Sequence, residues 1–173
     1  MSQKNNRAFV ENLSPSNLSL AVQYISQGQH LPTRTQLRRW FKAALKRDAD
    51  ITLRIVDEPE SCELNHRYRD KNYATNVLTF VYDDLESPNT VPISCEPVLH
   101  GDVVMCAPVV AREAAEQHKA LLVHYAHLTI HAALHLQGYD HEDEKDAVEM
   151  ESLETALMLK LRYPDPYQAI RHL

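Results

Sequence analysis

Apolar positions recur along this chain in two rhythms, and each rhythm predicts a different element. In Leu18–Ser26, residues Leu18, Leu20, Val22 and Tyr24 occupy every second position, the period of a half-buried strand. Residues 31–47 switch to helical spacing. Leu37, Phe41, Ala44 and Leu45 make one stripe there, and Thr33 with Gln36 has the spacing of a capping box. "ITLRIVD", residues 51–57, alternates again, with Ile51, Leu53 and Ile55 on one side. Asp57 is placed to cap a second helix, with Pro59 in its first turn and Glu60 completing a second box, running to about Tyr68. "RDKNYATN" has the composition of a turn, and "VLTFVYD" predicts a third strand. Residues 83–97 lose all periodicity and read as an exposed loop. "GDVVMCA" then predicts a fourth strand, and Pro108 opens a helix that ends near His118.

Two more helices follow. Leu121–Leu136, "LLVHYAHLTIHAALHL", is apolar nearly all round, so it belongs in the middle of the protein. Gly138 stops it as a left-handed cap does. Asp143–Arg162 form the last helix, with Met150, Leu153, Leu157 and Leu161 facing inward. Short strands mixed with helices predict a small α+β fold: a mixed sheet of about four strands, packed with helices around a central buried one. With neither repeats nor a dividing linker, residues 1–173 read as a single domain, with residues 1–17 a loose polar segment.

Composition narrows the function classes. No apolar run approaches the ~18 residues of a membrane span, and nothing resembles a signal peptide. Cys62, Cys95 and Cys106 are odd in number and lack C-x-x-C spacing, which fits reduced thiols in a cytoplasmic protein. A net charge of -6 argues against a protein coated in positive charge for nucleic acid. The charge is uneven, however. Arg34–Arg47 holds six basic residues and no acidic one, while Asp140–Glu154 holds eight acidic residues against Lys145 alone. The basic row Arg34, Arg38, Lys42 and Lys46 reads first as a solvated helix face and second as an RNA contact. The acidic run reads as the solvated, dipole-matched start of the last helix.

The chemistry concentrates in "HAALHLQGYDH". His131 and His135 are four residues apart on a helix and therefore stack on one face. Gly138 allows a sharp reversal that brings His141 to a third corner of the same site. Three imidazoles suit zinc best, with nickel, copper or cobalt as alternatives, and they leave a fourth position open. The spacing is that of a long-form zinc protease motif, but Ala132 stands where such a protease keeps its glutamate base. That excludes the ordinary peptidase mechanism and favours a substrate carrying its own negative charge, held by the metal and a nearby cation. His127, one turn before His131, reads as a buried histidine bonded to backbone, or as one supporting a ligand from behind.

"HAALHLQGYDH", "LNHRYRDKNYATNVLTF" and "HGDVVMC" together resemble the YbeY family of metal-dependent, single-strand-specific endoribonucleases of ribosomal RNA maturation. The resemblance runs from about Ile51 to Tyr167 and implies one zinc ion per chain at His131, His135 and His141. It also implies Arg69 as the functional arginine. Arg67 and Lys71 flank it and could add charge that tracks the RNA backbone. Single-stranded ribosomal RNA is the implied substrate, with the ribosome or small-subunit proteins as partners and no membrane. The family's "RGKDxPTNVLSF" becomes "RDKNYATNVLTF" here, and glycine is replaced by Ala132 after the first histidine. The rival readings are a ribosome-associated assembly factor whose metal is mainly structural, and a metal-dependent hydrolase of another substrate.

Overall fold

A computed structural model describes residues 17–82 and 97–168. The loose segment expected at 1–17 and the loop expected at 83–97 lie almost wholly outside these residues. Four strands form one sheet in the order β1-β2-β4-β3: β1 Leu18–Tyr24, β2 Ala49–Val56, β3 Val77–Tyr82 and β4 Leu99–Cys106. β1, β2 and β4 run parallel, and β3 is antiparallel to β4. Five helices are described: α1 Arg34–Ala44, α2 Glu58–Arg69, α3 Ala107–Glu116, α4 Leu121–Leu136 and α5 Glu144–Lys160. This is the small mixed α+β layer that the alternating rhythms predict.

Strand alternation divides the interior in two. Ala49, Ile51, Leu53 and Ile55 of β2, with Leu99, Val103 and Met105 of β4, face the main core. Val56 and Val104 face the other way and pack with Leu78, Leu64 and Phe80 in a smaller cluster beneath α2. The main core is closed by α1, α4 and α5. α4 is buried on nearly every side, as its all-round apolar sequence requires. Trp40 of α1 is fully buried, and its indole N–H donates to the Tyr163 hydroxyl at 3.2 Å. Burying a large apolar side chain of this kind contributes ~1.5–3 kcal/mol.

Local signals were decided by what lay across from them. The first capping box forms, with Gln36 N–H donating to Thr33 Oγ1 at 3.2 Å and Thr33 N–H donating to Gln36 Oε1 at 2.9 Å. The expected second box does not form. Asp57 occupies the N-cap of α2 without a side-chain cap bond, because its carboxylate accepts from the Ser26 hydroxyl at 2.5 Å. Glu60 is held by Arg54 across two contacts of 2.5 and 3.2 Å. The basic row is solvent-exposed, but only Arg34, Arg38 and Lys42 lie on α1 and Lys46 falls beyond its end; Arg34 reaches the Val22 carbonyl and Lys46 the Tyr139 hydroxyl. Among the described residues, no helix is long and apolar enough to cross a membrane.

Candidate metal centre

α4 ends in a turn that its sequence makes obligatory. Gly138 has φ +95°, its N–H donates to the His135 carbonyl at 3.0 Å, and Tyr139 N–H donates to the Leu134 carbonyl at 3.1 Å. These are the paired bonds of a Schellman cap, and a positive φ at that position favours glycine. The turn sends the chain back along its own helix. His141 N–H is then fixed by the Asp140 carboxylate at 2.7 Å.

Three imidazoles meet as a result. Ring centroids lie 4.5 Å apart for His131 and His135, 5.1 Å for His135 and His141, and 5.6 Å for His131 and His141. One nitrogen from each ring lies within 4.8 Å of the other two. Burial, and then the neighbouring His131 and His141, push the His135 pKa down to about 4. His135 is therefore neutral at physiological pH, the form in which an imidazole ligates metal. This donor set fits a transition-metal ion and supplies three corners of a tetrahedron.

A cleft of about 710 Å³ opens over the three rings. Arg69 and Lys71 reach its wall from the end of α2, Thr75, Asn76, Val77 and Thr79 from the following segment and β3, and Asp140 and Glu142 from the turn. Arg69 was expected in a turn but is the last residue of α2. Asp70 after it adopts the left-handed conformation (φ 54°) that ends the helix. Arg67 is turned toward Glu63, at 3.8 Å, and does not line the cleft. Glu142 is exposed, as the solvated reading expected, and also stands on the cleft wall; α5 begins at Glu144, capped by Asp143.

Behind the rings lies a layer of which the sequence offered only His127; Glu154, Tyr167, His124 and Glu113 were missed. Glu154 of α5 is fully buried and takes hydrogen bonds from His131 Nδ1, from His127 Nε2 at 3.1 Å and from the Tyr167 hydroxyl. Burial raises the Glu154 pKa, but the bonds and charge of the two histidines outweigh it and hold the carboxyl at about 2. His127 thus sits behind His131, joined to it through a shared carboxylate. A parallel chain runs from His124 to Glu113 at 2.8 Å and from Glu113 to Asn76 on the cleft wall at 3.2 Å. Burial raises the Glu113 pKa, yet His124 and Asn76 bring it below the usual carboxylate range. One signal for Glu154 was present: it lies four residues after Met150, inside the apolar stripe of the last helix.

Ala132 is fully buried within the main core. A glutamate there would begin from a position enclosed by apolar side chains, so the absence of a protease base has a packing basis as well as a chemical one.

The fold and cleft define a small α+β protein with a three-histidine centre and two cationic side chains facing the same space. A family model described as Endoribonuclease YbeY matches residues 24–162, and the chain belongs to this family. A protein named Endoribonuclease YbeY from Methylobacillus flagellatus is 54% identical over 152 residues, covering 88% of this chain and 95% of the relative. One of the same name from Nitrosospira multiformis is 53% identical over 158 residues, covering 88% and 83%. A solution structure from Thermotoga maritima aligns with TM-score 0.49 and 21% identity over 83% of this chain and 91% of that one. The family match begins at Tyr24, the last residue of β1, so it takes in α1, which lies before the Ile51 start of the sequence resemblance.

Proposed function

We propose that this chain is a zinc-dependent endoribonuclease that cuts single-stranded RNA, with residues 1–173 acting as one catalytic domain. The observation that carries the reading is the convergence of three imidazoles with Arg69 and Lys71 on one cleft. His131, His135 and His141 would hold one zinc ion, which supplies a Lewis acid able to polarise a phosphoryl oxygen or lower the pKa of water. Arg69 presents a planar guanidinium suited to grip two oxygens of the scissile phosphate. Lys71 adds a point charge for the adjoining backbone, while Arg67 lies outside the cleft lining, 3.8 Å from Glu63. Holding the phosphate between fixed cations stabilises the charge that builds up as the phosphodiester breaks.

Membership in an endoribonuclease family supports RNA as the substrate class. Ribosomal RNA, a cytoplasmic location, and the ribosome or small-subunit proteins as partners belong to the same reading and rest on the family resemblance. The peptidase alternative is disfavoured by Ala132.

Cleavage of an end-labelled single-stranded RNA by wild type and His135→Ala, purified side by side, tests the proposal. Wild type is expected to cut while His135→Ala does not, and Arg69→Ala is expected to lose most of the rate with metal content unchanged. Equal cleavage by wild type and His135→Ala would refute the histidine site as the source of activity.

A further inference from the structure

Glu154 belongs to the last helix and touches the cleft only through other residues. Its side chain is 1% exposed, and its hydrogen-bond partners among the described residues are two imidazoles and a phenol. An ionised carboxylate only accepts hydrogen bonds. All three partners must therefore donate, which fixes their protons: on Nδ1 of His131, on Nε2 of His127, and on the Tyr167 oxygen. Burial, followed by the charge of Glu154, raises the Tyr167 pKa and keeps the phenol in its donating form.

Two consequences follow for the rings. With Nδ1–H committed to Glu154, His131 is left with a bare Nε2, the nitrogen lone pair that a metal needs. His127 spends Nε2 on the same carboxylate, and its Nδ1 is buried without a hydrogen-bond partner among the described residues. His127 is thus a support and not a spare ligand. Its ring stands edge-on to Tyr167 at 5.4 Å, so phenol, imidazole and carboxylate brace one another.

The brace reaches into the segment after α5. Asp165 accepts from the Thr155 hydroxyl at 3.2 Å and from the Tyr167 backbone N–H at 2.9 Å, which seats Tyr167 over Glu154. The carboxylate is held on one side by this segment and on the other by α4.

We infer that Glu154, clamped by His127 and Tyr167, is a positioning residue that sets the His131 tautomer and strengthens His131 as a metal ligand. The inference rests on the three-histidine reading of the metal centre. A glutamine at 154 keeps the shape but not the charge. It offers one oxygen and one N–H₂ group, so it cannot accept from all three donors in their present arrangement.

Metal affinity is the first readout, measured by competition between a chromogenic chelator and the protein for Zn²⁺, without RNA. Wild type, Glu154→Gln, Tyr167→Phe and His135→Ala are compared, with circular dichroism of the metal-free proteins to check folding. Glu154→Gln is expected to bind Zn²⁺ about 10–100-fold more weakly, the usual consequence of losing a carboxylate behind a ligating histidine. Tyr167→Phe is expected to lose less, in the same direction. Ring ¹⁵N spectra should show His131 as a single Nδ1–H tautomer in metal-free wild type and as a mixture in Glu154→Gln.

Zn²⁺ affinity within twofold of wild type, with an unchanged His131 tautomer, in Glu154→Gln would overturn the inference. If Glu154→Gln does not fold, Tyr167→Phe decides by the same two criteria. If His135→Ala loses Zn²⁺ while Glu154→Gln keeps it, this inference alone fails. If His135→Ala binds Zn²⁺ as well as wild type, the three-histidine reading beneath it fails.

Discussion

Gly101 gives a sharp test of how the sheet positions the metal centre. It lies in β4 opposite Ile51 on one side and Val81 on the other, and it faces the main core. A Cβ added there would stand 2.7 Å from Leu136 Cδ2 and 3.0 Å from the Phe80 carbonyl oxygen. The Phe80 oxygen is strand backbone and cannot retreat without disturbing the β3–β4 ladder. Leu136 is only 3% exposed, so its side chain has little free space to enter. Alanine in place of glycine in a strand recovers ~0.5–1 kcal/mol through backbone entropy. Overpacking a core costs ~1–3 kcal/mol, so from the middle of both ranges Gly101→Ala should lose ~1 kcal/mol net. Urea unfolding followed by the fluorescence of Trp40, the one tryptophan in the chain, should show this as a lower midpoint with an unchanged slope. Leu136 adjoins His135, so Zn²⁺ affinity should fall as well. The double variant Gly101→Ala/Leu136→Ala should lose less than the sum of its parts, because the smaller side chain makes room. A midpoint equal to or above that of wild type in Gly101→Ala would refute the packing argument.

Gly138→Ala tests the opposite case, backbone strain without crowding. Nothing lies within 4 Å of the added Cβ, but φ is +95°. A stability loss of ~1 kcal/mol or more and weaker Zn²⁺ binding through His141 are expected by denaturation and chelator competition. The Glu154 carboxyl, held at about 2 against an ordinary 4.5, predicts an acid limb. A lowered carboxyl pKa stabilises fully above the unfolded value and loses that contribution as pH falls toward the folded one. In metal-free protein, wild type should lose stability relative to Glu154→Gln between about pH 4.5 and 2, as measured by urea midpoints across pH.

Much of this molecule was legible in the order of its residues, and the unreadable parts share a cause. Alternation placed the strands, and the all-round apolar run placed α4 at the centre. The spacing of His131, His135 and His141 on either side of Gly138 anticipated the cluster, because helix pitch and one cap determine where those rings go. Long-range partners were not legible. Asp57 and Glu60 have the spacing of a capping box but are held by Ser26 and Arg54, which the fold brings alongside. Arg67 and Lys71 flank Arg69 symmetrically in sequence. The end of α2 separates them, turning one toward Glu63 and the other into the cleft. Glu154 was hidden in a run of acids, since composition alone cannot tell a buried carboxylate from seven solvated ones.

The order in which the parts are synthesised has its own consequence. The three parallel strands, Arg69 and the pair on α4 are all made before α5, while Glu154 and Tyr167 come last. Domains gather their structure as the chain emerges from the ribosome, amino-terminal parts first. A nascent chain therefore carries Arg69 and its histidines well before Glu154. With Glu154 orienting His131 as inferred, the centre gains its full metal affinity only once the segment through Tyr167 has been made and folded back.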